Sequence, residues 1–253
     1  MHANDDANAR IDLGANEAKA GAVPVQAVLF DLDDTLWPIL PVIHRAEELL
    51  HAWLQQHVPA VSAAWSIQSM RARRMALMLE NPHFEIDLQG LRHAGLSEAF
   101  IACDADTAMI DAAMTLFNDA RNAVTPFDDV VPALTRLGSS LQVGSITNGV
   151  ADLDIIGLAP HFKVSLAAYR FGRAKPDPAI FHAACEALSV HPSAAVYAGD
   201  DLIRDVQAAQ NAGLRAVWIN RFGRSLPAHV RPDAVCSNLF ELEQWLASSR
   251  PRV

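Results

Sequence analysis

The stretch Val28-Leu29-Phe30-Asp31-Leu32-Asp33-Asp34-Thr35-Leu36-Trp37 decides how this chain is read: a short apolar run that ends in three carboxylates. Val25 to Phe30 is mostly apolar with little alternation, the pattern of a strand covered on both faces by helices. Carboxylates placed directly after such a strand sit at its C-terminal end, where open α/β sheets bind ligands. Asp31 and Asp33, two residues apart on extended backbone, project to one side. Packing gives no reason to crowd Asp31, Asp33 and Asp34 there, because like charges raise one another's pKa and cost stability. A positive partner is implied.

Downstream, Pro38 and Pro41 delay a helix until about Val42. Apolar residues then recur at helical spacing, and four helices fill the chain to about Ala123, with breaks at Val58-Pro59, Asn81-Pro82, Gly90 or Gly95, and Cys103-Asp104. At Pro126 the pattern changes. Strands are expected over Leu141 to Ile146, Val164 to Ala167, Ala194 to Ala198, Arg215 to Ile219 and Ala234 to Cys236. Helices are expected near Val130 to Leu137, Pro178 to Leu188, Leu202 to Ala212 and Leu239 to Ala247. Alternation of this kind predicts an α/β fold with a doubly wound parallel sheet. The expected organisation is a disordered tail over 1–23, a catalytic core from 24–40 and 124–253, and an inserted all-helical cap over 41–123 that acts as a lid.

With 253 residues, 51% of them hydrophobic, the chain can bury a sizeable core. Its formal net charge of -9 argues against nucleic-acid and anionic-lipid partners. Cys103, Cys185 and Cys236 are widely separated and form no metal knuckle or redox pair. No apolar run reaches membrane-spanning length and no secretion signal opens the chain, so a cytoplasmic protein without membrane contact is expected.

Three later segments supply partners for the opening acids. Ser145-Ile146-Thr147-Asn148-Gly149 ends the second strand with a hydroxyl, an amide and flexible backbone, donors suited to an oxyanion; the same residues also make an ordinary turn. In Arg173-Ala174-Lys175-Pro176-Asp177-Pro178, Asp177 and Pro178 resemble a helix cap and first turn, leaving Lys175 at the mouth of the site unless it is a solvated surface charge. Val196-Tyr197-Ala198-Gly199-Asp200-Asp201-Leu202-Ile203-Arg204-Asp205 is again a strand that breaks and delivers acids. Asp201 also fits a helix N-terminus on dipole grounds alone. Asp31, Asp33, Asp200 and Asp205 thus converge with Lys175 and Thr147, and a hard divalent cation, Mg²⁺ by its preference for oxygen ligands and phosphate, resolves their repulsion. Phosphoryl transfer is the chemistry this suggests.

Asp31-Leu32-Asp33-Asp34-Thr35, Thr147-Asn148-Gly149, Lys175-Pro176 and Gly199-Asp200-Asp201 with Asp205 resemble, in order, the motifs of the haloacid dehalogenase-like (HAD) hydrolase superfamily, with its Rossmann-like core and helical cap after the first strand. The resemblance implies that Asp31 is a nucleophile forming an aspartyl-phosphate and that Asp33 protonates the leaving group and then activates water. It implies that Thr147 and Lys175 hold the phosphoryl group, with Asn148 beside them. It further implies that Asp31, the backbone carbonyl of Asp33 and Asp200 bind Mg²⁺, with Asp205 and Asp201 supporting. An acid at Asp33 points to a phosphatase of a small phosphorylated metabolite, because the family's dehalogenases and phosphonatases lack one there. A sugar phosphomutase and a non-catalytic binding protein are the alternatives. Phe30 to Trp37, Pro41-Val42-Ile43, Arg173 to Pro176 and Gly213 to Ile219 are also similar to bacterial enzymes acting on FMN and flavin-pathway phosphates. Trp37 and His44 are expected to contact the leaving group, Arg71, Arg73 and Arg74 are a basic cluster that greets an anion or faces solvent, and Asp34 has no assigned role.

Overall fold

Ala27–Phe30 forms strand β1, every residue of which is buried. Its side chains alternate: Val28 and Phe30 enter one apolar core, and Ala27 and Leu29 enter another on the opposite face of the sheet. This is why the strand carries no polar alternation. The computed structural model describes residues 23–249, so the tail expected over 1–23 lies outside them except for Val23, whose carbonyl accepts a bond from Arg215.

Five helices follow β1: α1 (Ile39–His57), α2 (Pro59–Ala64), α3 (Ile67–Glu80), α4 (Leu88–Ala102) and α5 (Ile110–Asn122). They enclose an apolar core of their own, with Leu50, Leu54, Phe100, Ile110 and Phe117 at its centre. Two sequence expectations shift here. α1 starts at Ile39, inside the range assigned to the core, because Pro41 occupies its first turn, where a missing N–H leaves no intrahelical bond unmade. α4 runs unbroken through Gly90 and Gly95, so the break expected there does not occur and the count is five. The Asp87 side chain caps the Gly90 N–H, and Gly95 lets Arg74 of α3 approach, a Cβ there falling 3.2 Å from that side chain.

The remaining elements alternate, as the sequence predicts: α6 (Val130–Gly138), β2 (Gln142–Thr147), α7 (Leu153–Ile156), β3 (Val164–Ala167), α8 (Ala168–Phe171), α9 (Pro178–Ala187), β4 (Ala195–Gly199), a π-helical turn (Leu202–Gln207) leading into α10 (Ala208–Asn211), β5 (Arg215–Ile219), β6 (Ala234–Cys236) and α11 (Leu239–Ser248). The six strands form one sheet in the order β3-β2-β1-β4-β5-β6, with every pairing parallel. Phe30 stands in register with Ser145 of β2 and Ala198 of β4. The residues after these three positions therefore emerge together at one sheet edge, where the strand order reverses and α/β sheets place ligands.

Leu29 is fully buried at the centre of the sheet, whereas Leu79 on α3 is 83% exposed. Leu29→Ala is expected to lower the unfolding free energy by about 2–5 kcal/mol and Leu79→Ala by less than about 0.5 kcal/mol, measured by urea denaturation.

Candidate active site

Lys175 lies just past β3 and α8, yet only 4% of it is exposed. Its Nζ donates to Asp31 Oδ1 at 2.6 Å, Asp205 Oδ1 at 2.7 Å and the Tyr197 hydroxyl at 2.8 Å. Asn148 fixes the lysine's backbone from both sides, accepting from its N–H at 2.9 Å and donating to its carbonyl at 2.8 Å. Tyr197 is held by donating to the Ile146 carbonyl, and Thr35 donates to the second oxygen of Asp31. Burial pushes the Asp31 carboxyl well above its ordinary value despite the lysine, with Asp205 and Asp200 adding to the rise. Burial opposes the charge on Lys175, but Asp205 and Asp31 outweigh it and hold the ammonium well above its ordinary range.

Asp33 is clamped separately. Trp37 Nε1 donates to its Oδ1 at 2.8 Å, and Arg121 Nη2, from the end of α5, reaches both oxygens at 2.8 and 2.7 Å. Gly149 makes room for this arrangement: a Cβ there would stand 2.6 Å from Asp33 Oδ2 and 3.3 Å from the Arg121 guanidinium. The Gly149 N–H also donates to Thr147 Oγ1. Gly199 serves the other side, since a Cβ there would collide with the Asp205 carboxylate. An opening of about 150 Å³ is lined by Asp31, Asp33, Thr147, Lys175, Asp200 and Asp205, among others.

Asp31, Asp200 and Asp205 each present a carboxylate oxygen within 4.8 Å of the others. Asp200 is pushed up to about 6, mainly by burial and then by Asp205, although Arg224 donates to it at 2.8 Å. Asp31 and Asp205 share Lys175 as their buried cation and Asp200 has the half-exposed Arg224, so three acids face two cations and offer only hard oxygen donors. A divalent cation fits that donor set.

Most residues singled out in the sequence meet here. Asp31, Asp33, Thr147, Asn148, Lys175, Asp200, Asp201 and Asp205 all line the same opening. Asp201 spends its carboxylate as a cap, accepting from the N–H groups of Ile203 and Arg204. Asp34 acquires a role: at φ 61° it turns the chain, and its side chain accepts from the N–H of Ile39, capping α1 where Pro38 offers no side-chain cap. Trp37 is fully buried and reaches the site through Asp33, which corrects its expected contact with the leaving group. His44 is exposed on α1 and lines no part of the opening. One residue is about 100° of helical rotation, which turns it away from the face of Ile43. Arg71 and Arg74 bind Glu47, and Arg73 binds Glu80 and Glu98, so the basic cluster is spent on pairs within the helical unit. Sequence reasoning missed Arg121 and Tyr197. A basic residue in a last helical turn reads as a dipole complement, and an aromatic in a strand reads as core.

The haloacid dehalogenase-like hydrolase pattern matches residues 25–213. A 5-amino-6-(5-phospho-D-ribitylamino)uracil phosphatase of Escherichia coli is 30% identical over 199 residues, covering 77% of this chain and 83% of that protein. A glyceraldehyde 3-phosphate phosphatase of Methanopyrus kandleri is 29% identical, covering 78% and 84%. Among solved structures, a 2-haloacid dehalogenase from Pseudomonas syringae superposes with a TM-score of 0.83 at 36% identity over 88% of this chain and 99% of its own. A HAD phosphatase from Thermococcus onnurineus superposes with a TM-score of 0.67 at 25% identity over 90% and 100%. No helix among the described residues is long and apolar enough to cross a membrane.

Lys175→Met is expected to strand the buried Asp31 and Asp205 without their shared cation and to cost about 3–5 kcal/mol of stability in urea unfolding. An unchanged midpoint would mean that the network does not hold the sheet edge.

Proposed function

The chain belongs to the haloacid dehalogenase-like hydrolase family, and from that premise we propose that it is a Mg²⁺-dependent phosphatase of a small phosphorylated metabolite, working through an aspartyl-phosphate on Asp31. The observation that carries this reading is the Lys175 ammonium bonded to Asp31 beside Thr147, with a separate acid, Asp33, on the other side of the same opening. Enzymes of this family generally use a divalent metal, and Asp31, Asp200 and Asp205 would hold it. When bound, it neutralises phosphoryl oxygens so that an anionic nucleophile can approach them.

In this proposal Asp31 is kept oriented by Lys175 and Thr35 and attacks phosphorus, forming the Asp31–phosphorus bond as the ester P–O bond breaks. The departing alkoxide takes a proton from Asp33. Asp33, held by Trp37 and Arg121, then takes a proton from water as that water attacks phosphorus, releasing phosphate and restoring Asp31. Thr147 and the loop at Asn148 hold phosphoryl oxygens. The helical unit α1 to α5 lines the adjoining cavity and reaches Asp33 through Arg121, and it serves as the cap of the reaction. The three free cysteines support a reducing, cytoplasmic setting. FMN and ribitylaminouracil phosphate head the substrate panel, from the sequence resemblance and the name of the Escherichia coli relative.

Dehalogenation is the second reading, favoured by the Pseudomonas syringae structure. Asp33 speaks against it, since a leaving halide needs no proton and a leaving alkoxide does.

Asp31→Asn is expected to leave the fold intact by circular dichroism and to cut Mg²⁺-dependent hydrolysis of p-nitrophenyl phosphate by at least about 10⁴-fold. Near-normal turnover would sink the nucleophile assignment. EDTA is expected to abolish wild-type turnover and added Mg²⁺ to restore it, and no chloride should be released from 2-chloropropionate; chloride release at a comparable rate would establish the second reading.

A further inference from the structure

Trp37 is among the largest fully buried side chains, and its ring belongs to the apolar core on one face of the sheet, with Phe30, Leu32 and Leu134. Its indole nitrogen nevertheless reaches the active site, donating to Asp33 Oδ1 at 2.8 Å. The backbone sets up this contact. Asp33 and Trp37 form an isolated parallel bridge, and the Asp34 N–H donates to the Trp37 carbonyl at 2.8 Å, so the turn through Asp34 brings the tryptophan back beside the acid.

The two oxygens of Asp33 are not equivalent. A carboxylate oxygen has two lone pairs with which to accept hydrogen bonds. Oδ1 receives one bond from Trp37 Nε1 and one from Arg121 Nη2, which fills it. Among the described residues, Oδ2 receives only the bond from that same Arg121 nitrogen, at 2.7 Å. Arg121 alone would not tell the two oxygens apart, because one nitrogen serves both instead of the usual fork of two. Trp37 supplies the asymmetry. Oδ2 is also the oxygen that faces Gly149, where a Cβ would stand 2.6 Å from it, and Asp33 and Gly149 both line the opening over Asp31. The oxygen with room for a proton is thus the one turned towards the loop that borders the reacting phosphoryl group.

We infer that Trp37 is a positioning residue for proton transfer: by occupying Oδ1 it leaves Oδ2 as the atom through which Asp33 works. The inference rests on the phosphatase reading and adds one atom and one residue to it. In the first step the Oδ2–H bond breaks as the proton passes to the oxygen leaving phosphorus. In the second, an O–H bond of the attacking water breaks and the Oδ2–H bond is restored. Trp37 touches neither substrate nor reacting atoms; it keeps the carboxylate from exchanging its two oxygens. A buried indole N–H also needs an acceptor for stability alone, and that lesser role predicts a different outcome.

The test compares kcat/KM for p-nitrophenyl phosphate and phenyl phosphate with Mg²⁺ present. This parameter covers the steps up to departure of the phenolate and omits the later attack of water. The two esters share a ring, but p-nitrophenolate leaves readily without a proton, whereas phenolate draws more on the acid. In Trp37→Phe the preference for p-nitrophenyl phosphate is expected to rise by at least about 10-fold over that of the wild type. Both rates are read in one sample, so partial folding of the variant cancels from the ratio. Trp37→3-benzothienylalanine, which keeps the ring shape and lacks the N–H, is expected to give the same rise without disturbing the core. A preference within about 2-fold of the wild type in either variant, whatever the absolute loss of rate, would make Trp37 a core residue and overturn the inference. Wild-type turnover of p-nitrophenyl phosphate without turnover of phenyl phosphate would also overturn it, since no proton would then be reaching the leaving group. No wild-type turnover of p-nitrophenyl phosphate would overturn the phosphatase reading itself.

Discussion

One ammonium group, Nζ of Lys175, stands in the protein interior between Asp31 and Asp205 and is steadied by the Tyr197 hydroxyl. Without it, two carboxylates would be buried side by side, a state that unscreened repulsion and lost hydration make untenable. Much of the local backbone serves this contact. Asn148 pins the lysine's peptide, Gly199 clears space for Asp205, and the π-helical turn after Asp201 brings Asp205 back towards β4. The central strands then fix the spacing, because Asp31 and Asp200 follow β1 and β4 and Thr147 ends β2, neighbouring strands of one parallel sheet.

Compensation in this centre is deliberately incomplete in electrostatic terms. Asp31 and Asp200 both hold their protons more tightly than solvated carboxyls do, chiefly through burial and with neighbouring carboxylates adding to it, although Lys175 and Arg224 oppose the rise. The imbalance is what a phosphate-handling centre with a divalent cation requires.

The sheet was legible because its strands are short apolar runs closed by turn residues, and Val164–Ala167, Arg215–Ile219 and Ala234–Cys236 fall where the pattern puts them. The acids and Lys175 were legible because charge at a buried strand end has no packing explanation. Less legible were features decided by distant partners. Gly90 and Gly95 read as breaks until Asp87 and the close passage of α3 are known. Asp34 reads as a surplus acid until its side chain is seen under Ile39. Arg92 looks like one more surface charge on a helix, and only the fold reveals that its guanidinium rests on Phe117 with Glu47 3.9 Å away.

The helices α1 to α5 close on a core that shares no residue with the two flanking the sheet. Changes within the bundle's own core are therefore absorbed there, while the sheet edge and its acids keep their positions. Among the described residues Arg121–Asp33 is the ion pair that crosses between the two parts. Such a division lets descent retune what is recognised without relearning how the reaction is done, and it marks α4, which sends no side chain to Asp33, as the place where an altered preference costs the chain least.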